Sequence, residues 1–114
     1  MLMIFSNEKA EASMTTGDSA ARHAAYGAYT QALIQAGAMA GGERLRPTTT
    51  ATTVRVSGGR TEVLDGPYAD TKEQLGGYYL IEAPDLDQAI AWAARCPAAS
   101  HGTVELRPVW PMEG

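Results

Sequence analysis

Residues 53–64 read Thr53-Val54-Arg55-Val56-Ser57-Gly58-Gly59-Arg60-Thr61-Glu62-Val63-Leu64, two strand-like runs on either side of a glycine pair. Successive side chains of a strand point to opposite faces, so the strict alternation over 53–57 predicts a strand. A second run after two glycines predicts a hairpin, because tight two-residue turns need a backbone that glycine adopts freely. The middle of the chain is therefore read as antiparallel β, and the flanks are read around it.

Upstream, Met1-Leu2-Met3-Ile4-Phe5 is a continuous apolar run that predicts a buried strand, and residues 7–17 read as a polar loop. Ala20 to Ala36 follows helical spacing, with Ala25, Tyr29, Leu33 and Ala36 on one stripe and Ala32 beside it. Asp18 or Ser19 is the expected cap, and Gly37 the expected stop. Ala40 to Leu45 reads as a short irregular strand bent at Gly41-Gly42. Downstream, Gly77 to Glu82 reads as a strand. Asp85 with Gln88 three residues on resembles a capping box. Leu86, Ala89, Ile90, Ala93 and Ala94 give the following helix an apolar face that Pro97 terminates. Thr103 to Val109 closes the chain as a last strand.

The order β-α-β-β-β-β-α-β predicts an α+β fold, a ferredoxin-like sandwich with two helices on one face of a mostly antiparallel sheet. Helices on one face leave the other needing cover. Leu64, Tyr78 and Leu80 are expected to meet a second copy, which makes a homodimer the expected state. At 114 residues the chain is expected to form a single domain over 1–114. Its net charge of −4 and dispersed basic residues argue against nucleic acid. No stretch approaches the roughly 20 apolar residues of a membrane span. A single cysteine, Cys96, and no leader pattern point to a cytoplasmic protein.

Immediately after the hairpin comes Asp65-Gly66-Pro67-Tyr68-Ala69-Asp70-Thr71-Lys72-Glu73. This stretch closely resembles the Asp-Gly-Pro-Phe signature of the DGPF branch of the YCII-related (YciI-like) superfamily. The resemblance extends over Ala25–Leu33, Ala36-Gly37, Gly41–Leu45, Ala51–Val56, Lys72–Ile81 and Gly102–Val109. Tyr68 replaces the commoner Phe, and Asp70 stands where Glu is frequent. The resemblance implies a ferredoxin-like fold pairing into a dimeric α+β barrel, with the signature loop near a cleft in each subunit. The wider superfamily includes a lyase that eliminates chloride from a hydroxylated aromatic ring, with a helix-borne His and an Asp as the suspected acid–base pair. The position of that His falls at Tyr26 here, with His23 one helical turn earlier. Genes of this branch often neighbour those of alternative sigma factors, which implies a regulatory context.

Asp65, at the junction of strand and loop, is the first catalytic candidate, since a general base needs reach and a tuned acidity. An Asp before Gly-Pro equally serves as a turn-former. Tyr26 and His23 are its candidate partners; a core ring and an exposed imidazole are their plainer readings. Tyr68, Lys72, Glu73 and Glu43 are candidates for substrate binding, set against ordinary packing and surface charge pairing. Cys96 and His101 read as a packed thiol and a loop His rather than as nucleophile and base. No metal-ligand spacing and no phosphate-binding glycine pattern is present, so neither metal nor cofactor is expected. Two functions follow: a cofactor-independent acid–base enzyme, lyase- or isomerase-like, on a small polar or aromatic molecule, or a dimeric small-molecule-binding or regulatory protein.

Overall fold

The computed structural model describes residues 1–111. Six strands and three helices follow the chain: β1 Leu2–Ser6, α1 Glu8–Ala12, α2 Thr16–Gln35, β2 Met39–Arg44, β3 Thr52–Ser57, β4 Arg60–Asp65, β5 Gln74–Ile81, α3 Leu86–Arg95 and β6 Thr103–Leu106. Short 3-10 turns cover Thr48–Thr50 and Pro97–Ser100. Four strands form one antiparallel sheet in the order β2-β5-β1-β6, and β3 and β4 form a separate hairpin. The four-stranded order is compatible with a ferredoxin-like α+β fold, with the hairpin inserted between its second and third strands.

Residues paired across antiparallel strands share a face. Leu2 lies opposite Tyr79 and Leu106, and Ile4 opposite Gly77 and Val104, so these side chains form the helix-covered face. There Leu2, Ile4, Tyr29, Leu33, Ala38, Cys96 and Ala98 make the buried core. The Tyr29 ring stands edge-on to Tyr79 at 5.4 Å and to Trp92 at 6.2 Å, and its hydroxyl donates to the Trp92 carbonyl at 2.8 Å. Met3, Tyr78 and Glu43 share the opposite face, which contributes no residue to the buried core; Met3 and Tyr78 are half-buried there and Glu43 is exposed.

Several expectations are corrected. Residues 7–17 are largely helical: the Asn7 side chain accepts from the Ala10 amide at 3.0 Å and starts α1. Helix α2 begins at Thr16 instead of Ala20, because Thr15 Oγ1, rather than Asp18 or Ser19, accepts from the Asp18 amide at 3.1 Å. Tyr29 and Leu33 are buried as expected, but Ala25 and Ala36 are exposed and Tyr26 packs inward in their stead. On α3 the Asp85 cap holds, its carboxylate accepting from the Gln88 amide at 2.8 Å. Leu86 and Ile90 lie exposed, however, while Trp92 and Ala93 face the core. Strand β5 starts three residues early because Gln74 and Leu75 pair with Ser6 and Phe5 of β1. Strand β6 stops at Leu106, where Pro108 has no amide to continue the ladder.

The hairpin is as the alternation predicts, with Gly58 and Gly59 at φ +57° and +78° in its turn. It packs extensively on no other element, and Val54, Val56, Val63 and Leu64 are each about 60–70% exposed. The radius of gyration is 16.4 Å and the extents are 48 × 46 × 18 Å, a thin slab. A compact globule of this length has a radius near ~13 Å.

Candidate functional site

The signature begins where β4 ends. Gly66 takes φ +100°, its amide donates to the Ala51 carbonyl at 2.7 Å, and its carbonyl accepts from Thr53 Oγ1 at 2.8 Å. These bonds fix the turn through backbone atoms. The Asp65 carboxylate is exposed and accepts no hydrogen bond among the described residues, so it is neither consumed by its own turn nor enclosed in a pocket. Asp65 pairs with Thr52, and Val54 pairs with Val63, which puts the acid on the hairpin face that carries the valines. The Tyr68 ring is 75% exposed, with the Arg55 guanidinium 5.6 Å from its centroid. Lys72 is exposed and forms no ion pair among the described residues.

The far end of the signature is tied to the body. Thr71 Oγ1 donates to the Glu73 carbonyl, and Gln74 Nε2 donates to the Thr71 carbonyl at 2.6 Å. Gln74 Oε1 accepts from the Glu8 amide at 3.0 Å, and the Glu8 carboxylate accepts from the Thr48 amide and hydroxyl at 2.8 and 2.7 Å. Glu73 is half-buried, and its carboxylate accepts from Thr103 Oγ1 at 2.7 Å.

Of the other candidates, His23 is exposed on α2. Tyr26 is half-buried against the core, and burial, reinforced by the Cys96 thiol, pushes its phenol up to about 12. At neutral pH the phenol therefore stays protonated and does not serve as a base. Glu43 is exposed opposite Tyr78 on the sheet face away from the core. Asp65, at the end of the hairpin, and Tyr68, in the loop after it, make no hydrogen bond to Tyr26, His23 or Glu43 among the described residues; of the candidates in the Asp65–Glu73 stretch, Glu73 is the one bonded to the body. Burial also pushes the Cys96 thiol up, which is the opposite of what a thiolate nucleophile needs.

A second polar group was not legible in the sequence. Between α2 and the Pro97–Ser100 turn lies an open depression of about 400 Å³, with Asp18, Arg22, Ser100 and His101 as its polar lining. Met14, Ala21, Ala25 and Pro97 form its apolar walls. Ser6, itself 5% exposed, donates to Glu11 Oε1 at 2.6 Å, and that oxygen lies 3.8 Å from Arg22 Nη1. Burial and then the Arg22 charge hold the His101 imidazole below its ordinary pKa, against Glu11 and Glu73, which favour its protonation. Arg22 lies one helical turn before Tyr26, so helical spacing alone places it on that face; its neighbour His23 points elsewhere. Among the described residues no group of three or more His, Cys, Asp or Glu is arranged to hold a metal ion.

The chain is 47% identical over 78 residues, 67% of its length, to an uncharacterized protein of Rhizobium meliloti (strain 1021). The match spans 63% of that relative's own length. The model of the YCII-related domain matches residues 1–113, and the chain belongs to that family.

Proposed function

We propose that this protein is a DGPF-type member of the family that works as a homodimer. In this reading it is a cofactor-independent acid–base enzyme, lyase- or isomerase-like, on a small polar or aromatic molecule. The observation that carries the reading is the hairpin. It holds three valines and the free Asp65 carboxylate on one exposed face, and the Met3–Tyr78–Glu43 face of the sheet lies outside the buried core. Burying that much apolar surface is favourable by roughly 25 cal/mol per Å². Pairing of two copies covers both faces and carries Asp65 to a partner subunit, where Tyr68, Lys72 and Glu43 line the approach.

A substrate screen on the purified protein tests the catalytic part. Asp65→Asn should remove turnover while leaving the melting temperature unchanged; turnover that survives the substitution sinks Asp65 as the acid–base group. The second reading, a dimer that binds a small molecule without turning it over in a sigma-factor-linked context, is favoured by one feature. Asp65 converges with no second polar group within a single chain. Saturable binding without turnover of the bound molecule would favour it.

A further inference from the structure

We propose that the depression between α2 and the Pro97–Ser100 turn is a proton-transfer site for a small, neutral, flat carbon acid, with His101 as the base and Arg22 facing the negative charge that develops. The site is built from one subunit, so it shares with the dimer reading only a class of chemistry and stands if the chain is a monomer.

Three observations lead there. Arg22 is largely covered, with 29% of its side chain exposed, yet it makes no hydrogen bond among the described residues. Glu11 stays 3.8 Å away with the oxygen that Ser6 already occupies. The guanidinium therefore keeps its fork of donors for an acceptor in the depression it lines. Secondly, Asp18, Glu11 and Glu73 outnumber Arg22 around the site, so a molecule already anionic is repelled. A neutral molecule enters, and negative charge arises only during reaction, beside Arg22. Thirdly, His101 stands at the exposed rim of the depression, where partial burial and then the Arg22 charge hold it below its ordinary pKa, so at neutral pH its imidazole carries a free lone pair. The groups facing it are Arg22 from α2, Glu11 from α1 and Glu73 ahead of β5. The two carboxylates stabilise the imidazolium once it forms. Met14, Ala25 and Pro97 supply walls suited to a ring face.

In the step, the C–H bond of the substrate breaks and its proton passes to an imidazole nitrogen. The electron pair moves onto the electronegative atom conjugated to that carbon, which becomes anionic beside the Arg22 N–H groups. Return of the proton, or loss of a leaving group from the same molecule, completes the balance without a co-reactant.

The test is elimination of 5-nitrobenzisoxazole by the full chain. In this probe the ring C–H gives up its proton, the N–O bond breaks, a nitrile forms and a coloured phenolate leaves. The expected result is a rate above buffer that rises with pH and levels off below pH ~6.5, the ordinary His value. His101→Gln should lower kcat/KM by roughly 100-fold or more. Arg22→Gln should lower kcat about 10-fold or more with little change in KM. No rate above buffer, or a rate that His101→Gln leaves within about two-fold, overturns the proposal. Should His101→Gln fail to fold, the wild-type profile decides: a plateau below the ordinary His value supports it, and a rate that continues to climb above it overturns it.

Discussion

The four-stranded body and the β3–β4 hairpin are both antiparallel β, but they are held in different ways. In the body, Leu2 and Leu33 are fully buried, and Tyr29 ties α2 to α3 through the Trp92 carbonyl. In the hairpin, ladder bonds and the glycine turn hold the strands together, while Val54, Val56 and Val63 stay in solvent. An isolated two-stranded hairpin is marginal in water. The difference separates a region stabilised by its own core from one whose apolar face is still unsatisfied. The Asp65–Glu73 stretch sits at the exit of the second.

The sharpest way to expose the contrast is one truncation in each region. Leu33→Ala removes a fully buried side chain and should cost about 2–5 kcal/mol in denaturant unfolding. Val63→Ala should cost under about 0.5 kcal/mol when measured on dilute single chains. Equal losses at the two positions would erase the distinction. The next largest effect concerns association. If two copies pair as proposed, Val56→Asp combined with Val63→Lys should raise their dissociation constant about 30-fold or more, as loss of a buried anchor does. An unchanged constant would show the hairpin to be free surface. A smaller effect returns to the body: Tyr29→Phe deletes the 2.8 Å bond to Trp92 and should lower stability by about 1 kcal/mol.

The smallest concerns pH. His101 has a lowered pKa in the fold, so between that value and the ordinary ~6.5 the unfolded chain binds more protons. Its contribution is complete above pH ~6.5 and is lost as pH falls through the folded value. Thermal melts across this range should show that acid loss in the wild type and a weaker one in His101→Gln.

Local chemistry explains which parts of this were legible in the sequence. Alternation and paired glycines gave the hairpin, and Asp85 with Gln88 marked the start of α3, because these signals lie within a few residues. Helix α1 was not legible: it is short and polar, and its Glu8 is fixed by Thr48 from far along the chain. The inward turn of Trp92 on α3 was equally hidden, since Leu86 and Ile90 make an apolar stripe of the same spacing. For the site, the stretch after the hairpin pointed to Asp65, Tyr68, Lys72 and Glu73. The cluster of Ser6, Glu11, Arg22 and His101 arises only when β1, α1, α2 and the turn before β6 are folded together. No local spacing encodes it.

Sedimentation equilibrium of the unmodified chain at micromolar concentration decides whether the exposed hairpin and the Met3–Tyr78–Glu43 sheet face are halves of an interface between two copies. A particle of twice the 12.1 kDa chain mass is expected. A particle of 12.1 kDa, unchanged as concentration rises, would contradict it.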